Sequence, residues 1–264
     1  MPPRLLVVGA GGLVGSHLAA LGVPGLTRAA CDVTSAADRA RALRDHRPDA
    51  VIFCAAYASV DGCEHDPESW AVNAEAPAAW AREVLTWYLS TNYVFSGPGP
   101  HAPGAPTAPL MAYGRQKVAA EEAVAAAGGH VVRTGWVFGR GGRNFLSTLP
   151  AALHAGPVRA WRDVPIQPTW AGDLARFVLT LPEGLTHAIG REETTFAGAA
   201  QVVATALGCS ERVIEVPGPA GDLAATRPPD ARMSPATLPG WGERWGELLP
   251  GRPRLKGTYK SARS

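Results

Sequence analysis

Tyr113 and Lys117 stand four residues apart in Tyr113-Gly114-Arg115-Gln116-Lys117, a stretch that continues as Val118-Ala119-Ala120-Glu121-Glu122-Ala123-Val124. The segment reads as a helix, and residues at i and i+4 share a helix face, so the ammonium is expected to stabilise the ionised phenol. A phenol tuned in this way exchanges a proton with a carbonyl oxygen near neutral pH. On these five residues alone, a surface helix that happens to carry a tyrosine and a lysine is the simpler reading. Thr91 alters that balance. It follows the apolar run Trp87-Tyr88-Leu89 and Ser90, which puts a hydroxyl at the end of a strand, where it can hydrogen-bond the oxygen that the phenol protonates.

The elements that would position these groups can be read from the N-terminus. Leu5-Leu6-Val7-Val8 is a short apolar run that meets Gly9-Ala10-Gly11-Gly12-Leu13-Val14-Gly15 and resumes as a helical pattern at Ser16-His17-Leu18. Strand, glycine turn and helix in that order suit a dinucleotide. The glycines let backbone approach a pyrophosphate, and the helix N-terminus offers it unpaired N–H groups. A second strand is expected over Val23 to Thr27, ending at Arg28, about 20 residues along, where such folds read the adenosine ribose. A guanidinium there favours the 2'-phosphate of NADP(H), with NAD(H) the other cofactor the turn allows. Asp32 and Val33 follow and are expected beside the adenine.

A helix over Ala36 to His46, capped by Ser35, precedes the buried-strand run Ala50 to Cys54. Short apolar strands alternating with helices imply an α/β fold with a parallel sheet covered on both faces and ligands at the carboxyl ends of its strands. Ala55, Ala56 and Tyr57 stand at one such end and join the cofactor set, as does Asn73 in the helix expected from Pro67 to Leu85. Asp61 and Glu64 read as solvated caps before that helix. Strands are also expected at Val131-Val132, His187 to Ile189 and Val213 to Val216, and helices over Phe145 to Ala155, Ala171 to Leu181 and Thr194 to Leu207, the last ended by Gly208. His187 reads as a satisfied core histidine, and Trp241 and Trp245 as packing residues.

Composition narrows the function. The 264 residues carry a formal net charge of +2 and no dense basic run, which argues against nucleic-acid and membrane-surface binding and for small-molecule partners. No run approaches a membrane span. Cys31, Cys54, Cys63 and Cys209 lack metal-ligand or CxxC spacing and read as reduced thiols of a cytoplasmic protein.

Taken together, these residues resemble an extended short-chain dehydrogenase/reductase, most closely the dTDP-4-dehydrorhamnose reductase family. The resemblance rests on the glycine turn, the Tyr113/Lys117 pair, Arg47-Pro48-Asp49, Ala55-Ala56-Tyr57 with Val60-Asp61 and Glu64, and Ser90-Thr91-Asn92-Tyr93-Val94-Phe95-Ser96-Gly97. It continues through Arg133-Thr134-Gly135-Trp136-Val137-Phe138-Gly139, Asn144-Phe145, Pro168-Thr169-Trp170, Asp173-Leu174-Ala175 and Arg227-Pro228. It implies a Rossmann-type doubly wound sheet, with residues 1–160 and 171–190 binding NAD(P) and 161–264 forming most of a small C-terminal substrate lobe. It implies NADPH-dependent reduction of the C4 ketone of a nucleotide-linked 4-keto-6-deoxy sugar, with Thr91, Tyr113 and Lys117 catalytic. Thr91, Asn92, Trp136, Asn144, Gln167 and Arg227 are expected at the sugar nucleotide, Arg227 at its diphosphate.

Two departures matter. Asn92 replaces the family's usual Asp, and Asp163-Val164-Pro165-Ile166-Gln167-Pro168-Thr169 replaces its usual Asp-Gln-x-Gly-x-Pro-Thr wall. Some relatives bridge subunits through a metal held by an acid after the last turn glycine. Ser16-His17-Leu18 offers none, so no metal and a monomer or weak dimer are expected. Epimerase or dehydratase chemistry on the same scaffold, or an idle NADP-binding regulatory subunit, are the competing readings.

Overall fold

The computed structural model describes residues 1–142, 144–219 and 223–248. The first half alternates strand and helix: β1 (Leu5–Val8), α1 (Leu13–Ala20), β2 (Gly25–Leu26), α2 (Ala36–His46), β3 (Ala50–Phe53), α3 (Glu68–Trp70), α4 (Ala76–Ala81), β4 (Leu85–Thr91), α5 (Ala112–Ala126) and β5 (His130–Thr134). The second half holds β6 (Val137–Phe138), α6 (Phe145–Ala155), β7 (Val158–Trp161), β8 (Pro165–Ile166), β9 (Thr169–Trp170), α7 (Ala171–Val178), β10 (Leu185–His187), β11 (Thr194–Thr195), α8 (Phe196–Leu207) and β12 (Val213–Val216). Six strands form one parallel sheet in the order β10-β5-β4-β3-β1-β2.

Strand periodicity explains the double winding. Leu6, Val8, Val51, Phe53, Tyr88 and Val131 face one way and bury Trp80 of α4 with Ala120 and Val124 of α5. Val7, Ile52, Trp87, Leu89 and Val132 face the other way, onto Leu18 of α1 and Leu174 and Val178 of α7. The chain order reverses between β1 and β3, so the clefts open at the carboxyl edge there. A separate core unites Leu146, Leu149 and Leu153 of α6 with Ala160 of β7 and Phe196, Ala200 and Val203 of α8. It takes in Trp241 and Trp245, which pack the chain's later turns down as their spacing suggested. Three two-stranded sheets, β7 with β12, β8 with β11 and β6 with β9, frame it. The boundary expected at residue 160 falls inside this core, because α6 already packs against α8.

Several elements differ from expectation. The helix expected from Pro67 to Leu85 is broken into α3, a π-helical turn at Ala71–Glu75 and α4, ending at Ala81. Pro77 is the cause: it has no N–H for the carbonyl of Asn73 four residues back, so the ladder cannot run straight through. Tyr88 Oη donates to that released carbonyl at 3.1 Å. β4 accordingly begins at Leu85, two residues before the apolar run. β2 is two residues long, since Pro24 cannot continue a ladder and Thr27 turns the chain by accepting from Ala30 and Cys31. The strand expected over His187–Ile189 sits at Leu185–His187. α7 stops at Val178, and Thr194-Thr195 are a strand whose second residue caps α8. Gly208 ends α8 at φ 75°, as the sequence suggested. The four cysteines are unpaired. Among the described residues no helix is long and apolar enough to cross a membrane, and no cluster of three or more His, Cys, Asp or Glu is placed to hold a metal.

Candidate active site

The glycine turn is shaped by close approach. Gly9 sits at φ 94°, and a Cβ there would come within 2.5 Å of the Ala55 nitrogen; one on Gly15 would come within 2.1 Å of the Gly9 carbonyl. Only hydrogen fits, so β1, the start of α1 and the end of β3 are held against one another. Gly12 is the N-cap of α1 and offers no side-chain cap, which leaves the first-turn amides turned toward a groove of about 1030 Å³. That groove is lined by Gly9, Gly11, Gly12, Leu13 and Val14, then by Arg28, Asp32 and Val33, then by Ala55, Ala56 and Tyr57. Gly15 and Asn73 stand behind it. Asn73 is 1% exposed and holds Tyr57 by both backbone groups, accepting from its N–H and donating to its carbonyl.

A second cavity of about 540 Å³ opens beyond the ends of β4 and β5. Thr91, Asn92, Tyr93, Thr134, Trp136, Trp161, Phe196 and Arg227 line it. Trp136, at φ 45°, packs edge-on to Phe196 at 4.2 Å between ring centroids. Thr91 Oγ1 accepts from the Tyr93 N–H at 3.2 Å, which fixes the hydroxyl at the strand end. Tyr113 lines both cavities. It is the second residue of α5, and the helix reaches this position because Gly114 packs on the Tyr93 carbonyl, where a Cβ would stand at 2.3 Å.

Lys117 is 2% exposed. Its Nζ donates to the Leu89 carbonyl at 2.7 Å, rides 4.1 Å from the Tyr88 ring centroid and lies 6.0 Å from the Tyr113 ring centroid. Burial drives its pKa down to about 7, against the pull of Glu121. Burial pushes the Tyr113 phenol up from its ordinary value, with Cys63 and Tyr93 adding to the rise. The expected lowering of the phenol by the lysine is therefore not what this arrangement produces. Lys117 has lost its proton before Tyr113 titrates, so at neutral pH the phenol is a retained proton rather than an incipient phenolate.

The segment after β3 also differs from expectation. Glu64 is not a solvated cap: its carboxylate accepts from the Ala112 N–H at 2.7 Å and so caps the helix that carries Tyr113. Asp61 meets Arg227 in a bidentate pair at 2.9 and 2.8 Å and accepts from the Ala225 N–H. The guanidinium holds its carboxyl at about pKa 2.

The chain matches the family described as RmlD substrate binding domain over residues 3–241. It belongs to that family. Among its relatives, a probable dTDP-4,6-dihydroxy-2-methyloxan-3-one 4-ketoreductase of Streptomyces antibioticus is 37% identical over 76% of either chain. The dTDP-4-dehydrorhamnose reductase of Streptomyces griseus is 35% identical over 86% of this chain and 82% of its own. The crystal structure of dTDP-4-dehydrorhamnose reductase from Bacillus anthracis, in complex with NADP, superposes with a TM-score of 0.84 at 24% identity, covering 94% of this chain and 98% of its own. At that identity the likeness concerns the fold.

Two expected substrate residues, Asn144 and Gln167, stand outside the lining of the second cavity. Asn144 caps α6, accepting from the Ser147 N–H and donating to the Gly139 and Gly142 carbonyls. Gln167, 3% exposed, exchanges two hydrogen bonds with the backbone of Met233. Both amides are spent on backbone, and neither lines the second cavity. Asn92 does line it, and donates to the Ala231 carbonyl at 3.0 Å, a bond that an ionised Asp has no proton to make. His187 is half satisfied: Nδ1 donates to the Ser234 carbonyl, while Nε2 has no partner among the described residues. Phe196 and Trp161 were missed because single aromatics in short apolar runs read as core, and the Asp61 and Glu64 roles because their partners lie 166 and 48 residues away.

Proposed function

We propose that the chain is an NADPH-dependent reductase of the C4 ketone of a nucleotide-linked 4-keto-6-deoxy sugar. The observation that carries this reading is the position of Tyr113, on the shared wall of the glycine-turn groove and the aromatic cavity, so that one phenol faces two ligands at once. Family membership and the names borne by the relatives support the same activity.

The groove suits NADP(H). Its glycine cradle has no room for a Cβ at Gly9 or Gly15, the uncapped turn of α1 suits a pyrophosphate, and Arg28 on its wall suits a 2'-phosphate. Hydride is what the cofactor supplies when bound. The chain's own groups do the rest. Thr91 hydrogen-bonds the ketone oxygen and holds it beside Tyr113. Tyr113, kept protonated by burial, gives its phenolic proton to the oxygen as negative charge develops there. Lys117, beside Tyr113 and held by the Leu89 carbonyl, would bind the nicotinamide ribose. Trp136 closes over the sugar, and Arg227 reaches toward the diphosphate. The core built on α6 and α8 serves as the substrate lobe, starting ahead of residue 145. The protein works on this reading in the cytoplasm, as a monomer or weak dimer.

The test follows NADPH absorbance with a panel of nucleotide-linked 4-keto-6-deoxy sugars. One equivalent of NADPH oxidised per ketone, with the C4 alcohol as product, is expected. Tight NADPH binding with no turnover of any member would instead favour an idle regulatory subunit.

A further inference from the structure

Thr134 is the last residue of β5 and is paired in register with Thr91 of β4. Cross-strand neighbours point to the same face of a sheet at one strand spacing, about 4.8 Å. Both residues line the aromatic cavity. Thr134 is 7% exposed, and its Oγ1 has no hydrogen-bond partner among the described residues. The polar groups around it are already committed: Thr91 Oγ1 to the Tyr93 N–H, the Asn92 amide to the Ala231 carbonyl, and Arg227 to Asp61. Ser90 Oγ is also without a partner among the described residues, and Ser90 borders the same cavity, but strand alternation turns its side chain to the opposite face from Thr91 and Thr134. A buried hydroxyl left unpaired costs stability, and native proteins keep few of them except where a ligand or water completes the bond.

We propose that Thr134 recognises the C3 hydroxyl of the sugar, and so makes the enzyme selective for substrates that carry an oxygen beside the reacting ketone. This rests on the 4-ketoreductase reading. With the C4 oxygen held by Thr91 and Tyr113, the adjacent ring carbons are C3, which bears a hydroxyl, and C5, which bears a methyl group and the ring oxygen. The hydroxyl alone can both donate to and accept from Thr134. A cavity that leaves a buried polar group unpaired when this hydroxyl is missing rejects the deoxy compound more strongly than lost contact area would.

The experiment compares kcat/KM for a nucleotide-linked 4-keto-6-deoxy sugar and its 3-deoxy counterpart in wild type, Thr134→Val and Thr134→Ser, with thermal melts and NADPH titration as controls. Wild type is expected to prefer the 3-hydroxy sugar by about 10- to 100-fold. Thr134→Val should bring the ratio to within about threefold by slowing only the 3-hydroxy sugar, with the melt unchanged or raised and NADPH affinity unchanged. Thr134→Ser should restore the preference. If Thr134→Val slows both sugars equally, or leaves the ratio intact, the hydroxyl packs or holds water and the assignment falls while the ketoreductase reading stands. If wild type turns over neither sugar, both fall.

Discussion

Tyr113 and Lys117 do at the residue scale something other than the textual pattern Tyr-x-x-x-Lys suggests. The lysine does not sharpen the phenol's acidity, because both are dehydrated and the lysine gives up its proton first. Lys117 is therefore carried at a cost to stability. Its folded pKa, about 7, lies below the usual 10.5, so between those pH values the unfolded chain holds a proton that the folded chain has released. Stability from this site should then rise with pH across that window and be lowest below about pH 7. We expect Lys117→Met to weaken NADPH binding and turnover together, yet to raise the melting temperature at pH 7, the gain shrinking toward pH 10. A melt unchanged by the substitution at every pH would mean that Lys117 stays charged in the fold. At the far end of the groove, Arg28→Asp should narrow or reverse a preference for NADPH over NADH, which titration of the two cofactors reads directly. Equal binding to the wild type would sink the role given to Arg28.

At the scale of elements, α5 delivers Tyr113 only because its N-terminus is pinned. Glu64 accepts from its first N–H, and Gln116 ties it to Ser69 at 2.7 Å and to Asn73 at 2.8 Å. Glu64→Ala should cost about 1 kcal/mol, the usual loss of a helix cap, and should lower kcat more than it raises KM, since the phenol moves with the helix. Chemical denaturation and steady-state kinetics check the two halves. The sequence made α5, the glycine turn and the strand runs legible because each is a local pattern: spacing on a helix, an uninterrupted apolar run, a glycine cluster between them. Glu64, Asp61 and Asn144 were misread because their meaning lies in partners brought together by the fold. Pro77 was the one visible warning that the helix after β3 is not continuous, and Asn73 marks the carbonyl that it releases. A buried pair, Arg133 of β5 and Glu121 of α5 at 2.7 Å, likewise gave no local sign, although Glu121 lies one turn beyond Lys117.

Over the whole molecule, the segment from Ala225 to Leu238 runs as a strap across both cores. Ala225 and Arg227 are held by Asp61, Ala231 by Asn92, Met233 by Gln167, Ser234 by His187 and Leu238 by Ile189. The strap carries Arg227 to the cavity, so its anchors set the shape of the proposed substrate site. Asp61→Asn should raise KM for the sugar nucleotide with little change in NADPH affinity. The Asp61 carboxyl sits near pKa 2 against an ordinary 3.8, so its contribution is complete above about pH 4 and is lost only as pH falls toward 2. An acid-induced rise in KM near neutral pH would contradict this pairing.

The central claim, that a protonated Tyr113 between the two cavities completes ketone reduction, is tested most directly by single-turnover oxidation of NADPH with a saturating 4-keto-6-deoxy sugar nucleotide, comparing wild type and Tyr113→Phe. The account predicts a rate at least about 10²-fold slower in the variant, with NADPH affinity unchanged. Equal rates would contradict it.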